Sequence, residues 1–152
     1  MAVLILNQTK CVVCGTPILA GQKSVSFPPF VGNELDPLYL FHDSVAHEEC
    51  LRQHPLAESA ISTVREMQDK TVPNNLLCVA CLKPILAPDD YLPFGHLVSD
   101  DAHPLFSFNY AQFHRNCLAQ WSNHGYVRDL LRSLQRSGKW KGHSLAWLLE
   151  RF

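Results

Sequence analysis

The segment Cys11-Val12-Val13-Cys14-Gly15-Thr16-Pro17-Ile18-Leu19-Ala20 returns 67 residues later as Cys78-Val79-Ala80-Cys81-Leu82-Lys83-Pro84-Ile85-Leu86-Ala87. The same offset carries Cys50 onto Cys117, so it accounts for all six cysteines of the 152-residue chain. Laying residues 11–53 on residues 78–120 without a gap gives 16 identities in 43 positions, well above chance. Phe27 with Phe94, Pro37-Leu38 with Pro104-Leu105 and Phe41 with Phe108 are among them. The chain is an internal duplication, and each copy is expected to build the same local structure.

Of the eight histidines only His47 and His114 fall at equivalent places, each three residues before the last cysteine of its copy. Each copy therefore offers four ligands: Cys11, Cys14, His47 and Cys50 in the first, Cys78, Cys81, His114 and Cys117 in the second. Three thiolates and one imidazole form one of the common tetrahedral zinc sets. Core cysteines would not require a histidine at the same offset twice, and iron–sulfur clusters usually take four cysteines. Two Zn2+ ions per chain are expected. A closed four-ligand shell leaves no position for water or substrate, so their role is expected to be structural, with no catalytic residue assigned.

A Cys-x2-Cys pair suits a tight turn, which Gly15 relaxes in the first copy; the second has Leu82 there and must manage without a glycine's freedom. A His-x2-Cys pair places both side chains on one helix face, with Asp43 or Ser44 as the expected cap of the first such helix. The thirty-two residues between Cys14 and His47 leave room for a short hairpin. Val25 and Phe27, then Leu38 and Leu40, alternate as half-buried strands do. A turn giving two ligands and a helix start giving two more is the treble-clef arrangement. The expected fold class is α+β: two tandem zinc-stabilised treble-clef units and a C-terminal helical segment.

Composition bounds the rest. Hydrophobic residues are 47%, charged residues 18% and the net charge is -1, which suits a folded soluble chain and selects no partner by charge alone. The apolar run Ala2–Leu6 is too short to span a membrane and lacks a secretory pattern, so it reads as a strand in a cytoplasmic protein, or a nuclear one in a eukaryote. Pro55 to Gln68 reads as a helix between the copies, with Ala57, Ala60, Ile61, Val64 and Met67 on one stripe, ended by Thr71-Val72-Pro73-Asn74-Asn75. The expected division is 1–70, 71–122 and a basic segment 123–152 packed on the second unit. That segment carries six Lys or Arg against two acids. A helix is expected from Tyr126 to Arg136, with Val127, Leu130, Leu131 and Leu134 inward and Arg128, Arg132 and Arg136 on another side. A last helix, Ser144 to Arg151, follows, where Trp140, Trp147 and Phe152 either dock on the body or anchor a partner.

Cys78-Val79-Ala80-Cys81 with His114-Arg115-Asn116-Cys117-Leu118-Ala119-Gln120-Trp121 resembles one half of a RING finger, and the first copy resembles zinc units of the RING and LIM kinds. The ligands of a RING's second, interleaved site are missing: its earlier positions hold His42 and Ser44, or Asn109 and Ala111. The resemblance implies metal binding and, if it extended to ubiquitin-type transfer, a surface for a conjugating enzyme at Val13, Ala80 and Trp121. A nuclease site of the HNH kind is not assembled by His42, His96 and Asn109. The expected function is protein–protein interaction, as a small adaptor, inhibitor or immunity-type regulator. The alternatives are a RING-like ligase component and, below it, a nucleic-acid-binding finger, for which neither copy has a dense Lys/Arg cluster.

Overall fold

The computed structural model describes residues 3–72, 76–86 and 90–152. Strand β1 (Ser24–Ser26) pairs antiparallel with β2 (Val45–His47), setting Ser24 opposite His47 and Ser26 opposite Val45. Strand β3 (Tyr91–Pro93) pairs with β4 (Gln112–His114), setting Tyr91 opposite His114 and Pro93 opposite Gln112. The two hairpins are the same pairs displaced by the sequence offset, and so are the isolated bridges Lys10–Pro17 and Leu77–Pro84.

The repetition extends to single hydrogen bonds. Phe27 N–H donates to Ser44 O at 2.8 Å, and Phe94 N–H to Ala111 O at 2.7 Å. Left-handed backbone recurs too: Gly15 (φ 74°) matches Leu82 (φ 58°), and Asp43 (φ 46°) matches Tyr110 (φ 61°). The Leu82 turn thus keeps the glycine geometry without the glycine.

Three local expectations change. The histidine ligands end strands instead of sitting on a helix face, because Glu48 N–H donates to Lys23 O and Arg115 N–H to Asp90 O, carrying each ladder one residue past the histidine. Helix α1 (Glu48–Arg52) starts only after His47, which occupies the cap position without a capping side chain, so neither Asp43 nor Ser44 caps it. The second copy has no α-helix there: Cys117 N–H closes a turn on His114 O, followed by a 3-10 turn at Leu118–Gln120. Residues Pro37–Phe41 form a 3-10 helix and not the second strand, since Pro37 pre-sets its first turn and Asp36 caps it by accepting from Leu38 N–H at 2.9 Å. Residues Val3–Leu6 form no strand. Thr9 Oγ1 accepts from Ile5 N–H at 2.9 Å and donates to Val3 O at 3.2 Å, coiling the run on itself; Ala2 lies outside the described residues.

Each copy has its own core. Ile18, Phe27, Phe41 and Leu51 fill the first, closed by Ala57 and Ala60 of α2 (Ala57–Lys70), with Ile61, Val64 and Met67 partly buried against it. Thr71 caps α2, and Pro73–Asn75 of the expected terminator lie outside the described residues. The second core holds Phe94, Phe113 and Trp121, covered by Val127, Leu131 and Leu134 of α3 (His124–Arg136) and Leu145 and Leu148 of α4 (Ser144–Leu149).

The copies are joined by polar contacts. Helix α2 reaches the second copy where Gln112 Nε2 donates to Lys70 O. The chain between α3 and α4 returns to the first copy: Asn33 Nδ2 donates to Lys139 O, Lys141 N–H to Asn33 Oδ1, and Ser144 Oγ to Gly32 O, each at 3.0 Å. A Cβ at Gly32 would lie 2.6 Å from Ser144 Oγ, so only glycine admits that approach. No helix among the described residues is long and apolar enough to cross a membrane.

Candidate metal centre

Two backbone devices converge in each copy. The Cys-x2-Cys turn is closed by Gly15 N–H donating to Cys11 O at 2.8 Å, and by Leu82 N–H to Cys78 O at 2.8 Å. It is held against the hairpin by Val12 N–H to Val45 O and Val79 N–H to Gln112 O, which brings the turn to the strand end carrying the histidine. One turn later the last cysteine comes round to the same point. The result is two clusters, Cys11-Cys14-His47-Cys50 and Cys78-Cys81-His114-Cys117, each with all four ligand atoms within 4.8 Å of one another.

The histidine faces its thiols through Nδ1. In the first cluster this atom lies 3.5 Å from Cys14 Sγ and 3.8 Å from Cys50 Sγ; in the second, 3.4 Å from Cys81 Sγ and 3.8 Å from Cys117 Sγ. These are about the edge lengths of a tetrahedron with Zn–S near 2.3 Å and Zn–N near 2.0 Å. The far nitrogen fixes the tautomer. His47 Nε2 is 3.0 Å from Gln22 Oε1, which also accepts from Leu19 N–H at 2.7 Å, so Nε2 carries the proton. His114 Nε2 donates to Pro84 O at 3.2 Å. Both Nδ1 atoms therefore present a lone pair to the sulfurs, the state a metal requires.

The thiols do not ionise alike. Hydrogen bonds from Thr16, whose Oγ1 is 3.1 Å from the sulfur, hold Cys14 down at about 6, whereas burial and the Cys14 and Cys11 sulfurs push Cys50 up to about 11. In the second cluster burial opposes ionisation of Cys78, but the backbone N–H groups of His114, Cys81 and Ala80 outweigh it and hold the thiol at about 6. Burial and the neighbouring Cys81 and Cys78 push Cys117 up to about 11. Three thiolates cannot share so small a space without a cation, and a divalent ion would favour all three. Each group could hold one metal ion, and the donor set is that of zinc.

The other residues singled out in the sequence scatter. Val13 and Ala80 are half-buried, each against its own core. Trp121 is 7% exposed, its ring packed on Phe113 and Phe108, which leaves little of it to offer a partner. Trp140 packs against the second core. Arg132 and Arg136 are exposed, while Arg128 is half-buried and pairs with Asp129 at 3.1 Å.

Two arrangements have no plain sequence signal. His42 Nδ1 accepts from Phe30 N–H (3.2 Å) and Val31 N–H (3.1 Å), and at the equivalent place Asn109 Oδ1 accepts from Leu97 N–H (2.7 Å) and Val98 N–H (3.2 Å). Between the copies, Ser99 Oγ donates to Asp36 Oδ1 at 2.7 Å and lies 2.9 Å from His96 Nε2, while His96 Nδ1 lies 3.2 Å from Tyr110 Oη. Asp36 shares the Nε2 side of His96 at 3.7 Å, so the three residues do not form a hydrolase relay, in which the acid holds the other nitrogen. Scanned against protein-family models, curated proteins and solved structures, the chain matches none of them.

Proposed function

We propose that the chain is a zinc-stabilised protein-interaction module, built of two treble-clef units that each hold one structural Zn2+. The carrying observation for the metal is the closed ligand set, three sulfurs and one pre-oriented nitrogen, formed twice. Elemental analysis of protein purified without chelator is expected to give two zinc ions per chain; His114→Ala should give one. A native value near zero would overturn the assignment.

Protein binding as an adaptor, inhibitor or immunity-type regulator is supported by where apolar side chains face water. Leu77, Val79, Leu82 and Leu86 are all exposed within residues 76–86, the last two at 78% and 88%. Val3, Ile5, Leu6 and Leu19 are exposed beside the first turn. Apolar side chains gathered on a rigid turn are costly to leave wet and commonly mark contact sites. The burial of Trp121 favours this reading over a RING-like ligase. Pull-down from the native cell with the wild-type chain and with the Leu82→Asp/Leu86→Asp double variant tests it. A stoichiometric partner, lost from the variant while zinc content is unchanged, is expected. Equal capture by both would remove the second turn as the contact.

A further inference from the structure

Where the two copies, α2 and the C-terminal segment meet, they enclose a cavity of about 360 Å³. Phe30 and Val31 of the first copy, Met67 of α2, Phe94 and Leu97 of the second copy and Leu148 of α4 are among its walls. No Asp, Glu, Lys or Arg lines it among the described residues. Trp147, 45% exposed, is also in the lining, so the cavity reaches solvent on the α4 side. The volume is that of pockets that hold small organic molecules, and it is too small for a helix. Walls without charge disfavour an ion, whose hydration would go unreplaced.

In that wall Trp140 Nε1 is buried with no hydrogen-bond partner among the described residues, and comparison of the two copies isolates a second free donor, on His42. His42 and Asn109 perform the same backbone task at equivalent positions, each accepting two N–H groups. Asn109 spends its remaining polar end on the backbone as well, Nδ2 donating to Val98 O at 2.9 Å. The imidazole of His42 does not. Its Nδ1 accepts, so the neutral ring carries its proton on Nε2, and no hydrogen-bond partner for that N–H is found among the described residues. Tyr39 stacks on the ring at 5.0 Å between centroids, which fixes its direction. Thus His42, in the cavity lining, holds a rigid unspent donor where the other copy has none.

We propose that this cavity binds a small uncharged organic molecule with a flat apolar skeleton and one hydrogen-bond acceptor, the acceptor taken by His42 Nε2–H. The aromatic walls supply most of the contact area and the imidazole sets the orientation. The site is independent of which metal fills the clusters.

Full-length, metal-loaded protein titrated with 2-acetylnaphthalene and with 2-ethylnaphthalene, nearly the same shape without the carbonyl, tests the proposal. Saturable one-to-one binding is expected, followed by the shifts of the indole N–H resonances of Trp140 and Trp147. The ketone should bind roughly tenfold tighter, the worth of one good hydrogen bond. His42→Asn installs the amide that does the same backbone work in the other copy; it should keep the zinc content and hydrocarbon binding but lose the preference for the ketone. Met67→Trp, filling the cavity from α2, should abolish binding of both. Absence of saturable binding to the wild type, equal affinity for the two probes, a ketone preference surviving in His42→Asn, or unaltered binding in Met67→Trp would each overturn it.

Discussion

Leu82 sits at φ 58°, a region in which a leucine Cβ crowds its own carbonyl at a cost of about 1–2 kcal/mol. Its equivalent, Gly15, adopts φ 74° without that cost, and a Cβ built there meets nothing within 4 Å. At Gly15 an added side chain would therefore meet backbone strain and no clash. Leu82→Gly should stabilise the metal-loaded protein by about 1 kcal/mol, and Gly15→Ala should destabilise it by a similar amount, both read from denaturant midpoints. Opposite signs are required; a loss in both variants would mean that the exposed Leu82 side chain contributes packing. At this scale the ligands were legible because few side chains bind zinc and their spacing repeats. The pairing of His42 with Asn109 was not, since an imidazole nitrogen and an amide oxygen look unrelated until their shared backbone partners are seen.

Among the elements, α3 was legible from its periodicity: Val127, Leu131 and Leu134 are buried and Arg132 and Arg136 exposed, as expected. Leu131 is fully buried between the second core and α4, so Leu131→Ala should cost about 3 kcal/mol, while Arg132→Ala should change stability by less than about 0.5 kcal/mol. Comparable losses in the two would place the helix elsewhere. The hairpins were half legible. Val25 marked the first strand, but the alternation at Leu38 and Leu40 belonged to a 3-10 turn, because local capping by Asp36 and the fixed φ of Pro37 outweigh a period-two pattern. The placing of each histidine on a helix face failed for a long-range reason: the bonds from Glu48 N–H to Lys23 O and from Arg115 N–H to Asp90 O keep that backbone in the ladder, which no local pattern reveals.

At the scale of the molecule, the two copies share a buried polar junction that sequence could not disclose, since Asp36 and Ser99 meet across 63 positions. The Asp36 and His96 side chains are 5% and 3% exposed. Burial alone would raise the Asp36 carboxyl, but the neighbouring His96 ring and the hydrogen bonds from Ser99 and the Leu38 N–H outweigh it and hold the group below its ordinary value. A carboxylate lowered on folding stabilises fully above its unfolded pKa of about 4 and loses that contribution only as pH falls through the lower folded value. Asp36→Asn should therefore cost about 1–3 kcal/mol at neutral pH. The difference from wild type should stay constant down to about pH 5, above the range where Asp36 takes up its proton. Any acid loss of stability shared by both proteins in that interval belongs to the cysteine and histidine ligands. A difference that shrinks between about pH 7 and pH 5 would show that the carboxyl titrates there and is not held down.

The stitching of Lys139, Lys141 and Ser144 to Gly32 and Asn33 bears on how the chain is made. Every side chain of the amino-terminal core has left the ribosome soon after Ala60, and that half can close while translation continues. The carboxyl-terminal half waits for Leu148, and the same late stretch clasps the earlier half into its final orientation. A premature stop before Lys139 would thus release a molecule whose first half is complete and whose second half keeps α3 but lacks the cover of α4, with the clasp between them never fastened.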